Sequence, residues 1–238
     1  MARFQSCLIV TYGRSGSTLM QGILNTIEGW LIRGENEHFA VHLFHAHQAL
    51  HRAVTGPYAG DSTAPNMPWY GLHEVDLAVM RADCAGLIRH VLVPPARDHG
   101  VRCFGFKEIR YLFEPDELRE YLDFLHDVLP DLGVVFNFRD HDQVLRSGWW
   151  AGGDAGATRA LLNRFERAAL GYHVDGRAPS CIVRYEEILR RGAALAGLFG
   201  FLDEAMDQAR LDRVFATVHS TVTAGHGDGG RLRRVVGE

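Results

Sequence analysis

Residues 4–24 read FQSCLIVTYGRSGSTLMQGIL. The apolar run from Phe4 to Thr11 has the composition of a buried strand. A Gly/Ser turn, Gly13-Arg14-Ser15-Gly16-Ser17-Thr18, interrupts it. Leu19, Met20, Ile23, Leu24 and Ile27 then recur at helical spacing. Gly13 and Gly16 allow tight turning and close approach of the backbone to an anion. A helix start supplies unpaired N–H groups and the positive end of the helix dipole. Ser15, Ser17 and Thr18 add hydroxyl donors, and Arg14 adds a charged fork. The stretch is a candidate phosphate-binding loop (P-loop). It is not a Walker A loop, which needs G-x-x-x-x-G-K-[ST]. Here two residues separate the glycines, and no lysine follows Gly16.

Outward from this turn, strand and helix signals keep alternating. Phe39, Leu43, Ala46, Leu50 and Val54 mark a second helix, and His73 to Val93 a third that stops at Pro94-Pro95. Val101 to Phe106 reads as a strand. Glu114-Pro115 opens a helix faced by Leu118, Tyr121, Leu122, Leu125 and Leu129. Gly133 to Phe138 is a compact apolar strand, and Asp140 or Asp142 can cap the helix after it. Ala157 to Tyr172 predicts a helix, Cys181 to Arg184 a strand, Glu186 to Leu198 a helix, and Asp203 to about Val218 a last one. This alternation predicts an α/β fold, a central parallel sheet with helices on both faces in three layers. Ligands bind beyond the carboxyl ends of such strands. We expect one domain over residues 1–238. An acceptor-side lid or insertion is expected around residues 39–95, because the Pro/Gly-rich loop Thr55–Gly71 is long and carries Tyr58, Trp69 and Tyr70.

With 238 residues, 47% of them apolar, the chain can bury a full core. A formal net charge of −4 argues against a dedicated nucleic-acid binder. No apolar stretch is long enough to span a bilayer, and the N-terminus reads as a strand rather than a signal peptide. Cys7, Cys84, Cys103 and Cys181 lie far apart with no C-x-x-C spacing, as reduced core thiols of a cytoplasmic protein do. His38, His42, His45, His47 and His51 lack the H-E-x-x-H pattern, and we expect no metal site.

A second anion element is expected at Val134-Val135-Phe136-Asn137-Phe138-Arg139-Asp140, with Ser147 eight positions after Arg139. An arginine leaving a buried strand stands at the ligand edge of a parallel sheet. If the next helix folds back, Arg139 and Ser147 can hold one phosphate together. Taken in this order, three blocks resemble the sulfotransferases that use 3′-phosphoadenosine-5′-phosphosulfate (PAPS). Residues 13–19 are similar to that family's 5′-phosphosulfate loop. Arg139 and Ser147, followed by Trp149 and Trp150, resemble its 3′-phosphate motif, although Asp140-His141 replaces the proline common there. Arg184-Tyr185-Glu186-Glu187-Ile188-Leu189 resembles a strand-to-helix segment of the family, with Tyr185 near the nucleotide or structural. The resemblance covers about 60 residues and almost none of residues 40–100.

It implies metal-independent, in-line transfer of a sulfuryl group from PAPS to a hydroxyl or amine of a small-molecule acceptor, such as a sugar or secondary metabolite, with 3′-phosphoadenosine-5′-phosphate (PAP) as product. Gly13, Arg14, Ser15, Gly16, Ser17, Thr18, Arg139, Ser147 and Tyr185 would bind the donor. Such chemistry needs a base and a group that stabilises the departing oxygen. Gly34-Glu35-Asn36-Glu37-His38-Phe39 is similar to a G-E-x-x-E-F segment of bacterial trehalose sulfotransferases. Glu35 is ranked first as base because Gly34 favours a fixed turn beside it. His38 stands where the second glutamate would be, and an imidazole titrates near neutrality. Lys107 ends a strand and would stabilise the leaving oxygen, with Glu108 holding it or touching the acceptor. Arg231, Arg233 and Arg234 could reach the 3′-phosphate. Two alternatives stay open: a P-loop kinase for small molecules, and a non-catalytic PAP-binding protein.

Overall fold

The computed structural model describes residues 3–57, 59–61, 63–111 and 115–221. Tyr58, Glu114 and the Arg231, Arg233 and Arg234 cluster lie outside the described residues. Five strands, β1 (Ser6–Val10), β2 (Trp30–Arg33), β3 (Cys103–Glu108), β4 (Leu132–Phe138) and β5 (Ser180–Arg184), form one sheet. All pairs are parallel, in the order β2-β3-β1-β4-β5. β1, β3 and β4 are buried along their whole length. That is why their sequences are apolar runs rather than alternations.

Helix α1 (Ser17–Leu24) connects β1 to β2. Helices α2 (Phe39–Thr55) and α3 (Leu77–Leu92) lie between β2 and β3, and α4 (Pro115–Val128) lies between β3 and β4. Helices α5 (His141–Leu145) and α6 (Ala155–Asp175) precede β5, and α7 (Tyr185–Leu189), α8 (Gly192–Leu202) and α9 (Gln208–Thr221) follow it. Alternate side chains of the strands enter two cores. Leu8, Val10, Val134 and Phe136 join Phe44, Ile88, Tyr121 and Phe165 from α2, α3, α4 and α6. Cys7, Ile9 and Val135 join Met20, Ile23, Leu198 and Leu211 from α1, α8 and α9. The architecture is the expected three-layer α/β arrangement with a parallel central sheet.

The two helices expected around residues 39–95 lie against the sheet, with Phe44 and Ile88 in the core. The loop between those helices leaves Trp69 and Tyr70 exposed. Two local expectations change. Ser147 was expected within a helix, but α5 stops at Leu145 and Ser147 is extended, at the head of a tight 3-10 stretch over Gly148–Gly152. Gly148 opens that stretch with φ 59°, in the left-handed region that favours glycine. The single helix expected over Glu186–Leu198 is two helices, broken where Arg191 has φ 62°. All four cysteines are free thiols, three on strands and one on α3. Among the described residues no helix is long and apolar enough to cross a membrane.

Close approach of β3 to β1 depends on Gly105. A methyl group there would lie inside contact distance of the Cys7 backbone carbonyl, which cannot swing aside as a side chain could. Gly105→Ala is expected to destabilise the fold by about 1–3 kcal/mol, read as a lower urea midpoint at unchanged slope.

The sheet order fixes where a ligand can sit. β1 leaves into α1 on one face, while the chain leaving its neighbour β4 goes to α6 on the other. The crevice opens where the connections part in this way. Val10 pairs with both Glu108 and Phe136, and Arg33 with Phe106. Glu35, Lys107, the loop from Tyr12 to Gly16 and Arg139 therefore emerge along one edge.

Candidate functional site

The loop after β1 turns with Arg14 at φ 68° and Gly16 at φ 82°, and Ser15 between them on the negative side. Gly16 is the N-cap of α1 and supplies no side-chain cap. In contrast, Asp76, Asp140 and Asp154 each cap a helix through a carboxylate. A side chain at Gly16 would strike the ring of Tyr185, the first residue of α7. Residue 16 must thus be small and left-handed at once, which only glycine satisfies without strain. Ser15 is fully buried, and its hydroxyl has no hydrogen-bond partner.

The three separated sequence blocks meet here. Arg14 Nε donates to Ser147 Oγ at 2.9 Å. Arg139 Nη1 donates to the Arg14 carbonyl at 2.9 Å, and Nη2 to Gln143 Oε1 at 3.0 Å. Its guanidinium carbon stands 4.5 Å from the Tyr185 ring centroid, a cation–π distance, and its Nε is buried without a partner. The Asp140 N–H donates to Glu186 at 3.1 Å, tying the third block to the second. Arg139 and Ser147 are thus joined through Arg14 rather than through a shared helix.

Behind them lies a buried brace. The Arg139 N–H donates to the Tyr12 hydroxyl at 2.9 Å, whose proton faces Glu166 at 2.7 Å and the Arg139 carbonyl at 3.0 Å. His141 Nε2 lies 2.9 Å from the same Glu166 oxygen. Burial, and then the nearby Glu166 charge, push the Tyr12 phenol far up, so it stays protonated and can donate. Asn137, 1% exposed, donates to the Ser15 carbonyl at 3.0 Å, while its own carbonyl accepts from Thr11. None of Asn137, Gln143 and Glu166 was singled out from sequence. Asn137 alone carried a signal, as the one polar residue inside an apolar strand.

At the β3 end, Lys107 is 5% exposed and ion-pairs with Glu35. Glu35 is the more open partner, with 35% of its side chain exposed, and Arg110 lies 3.7 Å from its other oxygen. Glu108 does not hold Lys107. Neighbours on a strand face opposite ways, and Glu108 is buried on the α2 side. There it accepts from the His38 N–H at 3.0 Å, the Ile109 N–H at 2.8 Å and Arg110 at 2.8 Å. Glu37 is exposed and touches only the rim of this cluster, through Arg110 at 3.1 Å.

The two candidate bases sit in different surroundings. The His38 ring is buried beside Tyr111 and Tyr121, at centroid distances of 4.9 and 5.4 Å. Burial lowers its pKa to about 4, against the opposing pull of Glu108. The unfolded chain takes up that proton near pH 6.5, so folding stability is complete above about 6.5 and declines as the pH falls towards 4. The expected loss is about 2–3 kcal/mol. Urea midpoints from pH 7 to 4 should fall more steeply for the wild type than for His38→Phe; parallel slopes would contradict this.

Other polar groups pair locally. His45 lies 2.9 Å from Glu117, and His47 lies 3.4 Å from Arg81. Among the described residues no three His, Cys, Asp or Glu side chains are grouped to hold a metal ion. Trp150 Nε1 donates to the Gly13 carbonyl at 3.1 Å, and Trp149, 55% exposed, covers Gly13. No protein-family model matches the chain, and no curated protein matches it in sequence.

Proposed function

We propose that this chain is a sulfotransferase that moves a sulfuryl group from PAPS to a hydroxyl or amine of a small acceptor. The observation that carries the reading is the joining of Arg14, Ser147 and Arg139 at the head of α1: Arg14 bonds Ser147 through its side chain and Arg139 through its carbonyl. One anion-binding loop and one strand-end arginine share a single edge, as a donor with a 5′ and a 3′ anionic group requires. The chemistry of the donor set fits such a molecule. The buried Ser15 hydroxyl, the uncapped start of α1 and the unpartnered Arg139 Nε are hydrogen-bond donors facing no protein acceptor. No Walker lysine is present.

Each residue then has a role. The α1 start, with Ser15, Ser17 and Thr18, binds the 5′ anionic groups. Arg139 binds the 3′-phosphate, with Ser147 beside it, and Tyr185 walls the site beneath the Arg139 guanidinium. Lys107, held by Glu35, offers an ammonium to the oxygen on which charge develops. Glu35 takes the acceptor proton or orients the acceptor hydroxyl. Its half-open carboxylate suits this role better than the enclosed His38 ring. The nucleotide serves as the donor substrate of a direct, in-line transfer in which positioning and charge stabilisation do most of the catalysis.

Turnover tests this reading. The protein, with PAPS and a panel of hydroxyl and amine acceptors in excess EDTA, should release PAP in an acceptor-dependent way. Untouched PAPS together with Mg²⁺-dependent phosphoryl transfer from ATP would overturn it in favour of a kinase.

A further inference from the structure

The loop from Gly13 to Gly16 is held on one side by three side chains, each on a different carbonyl. Trp150 Nε1 binds the Gly13 oxygen at 3.1 Å, Arg139 Nη1 the Arg14 oxygen at 2.9 Å, and Asn137 Nδ2 the Ser15 oxygen at 3.0 Å. The next carbonyl, of Gly16, is taken by the Leu19 N–H at 3.0 Å in the first turn of α1. Peptide bonds here are trans. In a trans peptide the carbonyl of one residue and the N–H of the next point in opposite directions. Pinning the carbonyls of residues 13, 14 and 15 therefore turns the N–H groups of Arg14, Ser15 and Gly16 away from the segment 137–150. The N–H groups of Ser17 and Thr18 follow, ahead of the first intrahelical bond. Among the described residues none of these five amides donates to a protein acceptor.

Two further observations agree with an anion cradle. The sign of φ alternates from Arg14 to Gly16, the backbone pattern in which successive N–H groups converge on an anion. The buried Ser15 hydroxyl, in the middle of the loop, has no partner either. A buried donor such as the Ser15 hydroxyl costs stability unless a ligand or a water accepts from it.

We infer that Asn137 and Trp150 are positioning residues, which with Arg139 hold the loop's carbonyls back so that five consecutive amides face the 5′ anionic groups of the donor. The inference rests on the donor-site reading above. It assigns work to a strand-interior asparagine and an indole that need not touch the ligand. It also gives Arg139 two tasks, one toward the loop and one toward the 3′-phosphate.

The test uses Asn137→Val and Trp150→Phe, with inorganic pyrophosphate, adenosine 3′-monophosphate and PAP as probes in calorimetric titrations. Valine keeps the strand and removes the donor, and also the buried Asn137 Oδ1 that has no partner. Phenylalanine keeps an aromatic ring without the N–H. Each variant should bind pyrophosphate and PAP about tenfold more weakly, the effect of one lost hydrogen bond. Adenosine 3′-monophosphate should bind as to the wild type, even though the lost carbonyl bond lowers the melting temperature by a few degrees. A purely structural role would instead weaken all three probes alike. If the wild type binds pyrophosphate and both variants stay within twofold of it, the positioning inference is overturned while the donor site stands. If the wild type binds neither pyrophosphate nor PAP, the donor-site reading falls and takes this inference with it.

Discussion

Arg139→Ala is expected to weaken PAP binding by about 100-fold or more while weakening AMP far less. The guanidinium serves two sides. Its Nη1 and Nη2 each give one N–H to the Arg14 carbonyl and Gln143, which leaves the second N–H of each, and the buried, unpartnered Nε, for a phosphate. A charged hydrogen bond is worth about 1.5–3 kcal/mol, and part of the loop's support goes with it. AMP has no 3′-phosphate and loses only that support, about tenfold or less. Arg139→Lys should fall between the two, because an ammonium keeps the charge but cannot fork to a carbonyl and a phosphate at once. Titrations of the three proteins with both nucleotides read this directly. PAP affinity for Arg139→Ala within threefold of the wild type would remove the 3′-phosphate role.

Lys107→Met should have the opposite profile. Sulfuryl transfer from PAPS should slow by about 100- to 1000-fold, the usual cost of deleting a donor aimed at developing charge. PAP affinity should change only a few-fold. The ammonium is nearly enclosed and paired with Glu35, and it stands at the end of β3 beside the loop that follows β1. Methionine retains most of the stem's volume, so the packing loss is small. Single-turnover rates at saturating PAPS separate the chemical step from binding. Glu35→Gln should slow the same step and remove the ion pair. A Lys107→Met protein that turns over within threefold of the wild type would assign Lys107 to the fold alone.

Much of the layout was legible because it rests on local chemistry. The mostly apolar runs of β1 and β4, without alternation, show burial on both faces, and Gly13 to Thr18 announce a turn at the head of a helix. Strand order was not legible, since no local signal says that β3 and β4 flank β1. That order brings Arg14, Arg139 and Tyr185 together across more than a hundred residues of chain. Partner choice was also hidden. Glu108 adjoins Lys107 in sequence, yet the strand pleat turns it toward His38 and gives Lys107 to Glu35. His38 read as a titratable loop residue because the tyrosines that enclose it come from positions 111 and 121. Spacing alone puts Ser147 on the helix after β4, but that helix ends at Leu145, two residues before it, and Ser147 is extended. Asn137 was passed over because one polar residue in an apolar strand has no meaning until the loop that it supports is in place.

The most direct test is the ratio of affinities for PAP and AMP, measured by calorimetry on the wild-type protein in EDTA. A site built from the α1 loop and the Arg139–Ser147 corner should bind PAP about 100-fold or more tighter than AMP, with no metal required. Equal affinities, or binding that appears only when Mg²⁺ is restored, would contradict a two-anion donor site at this edge of the sheet.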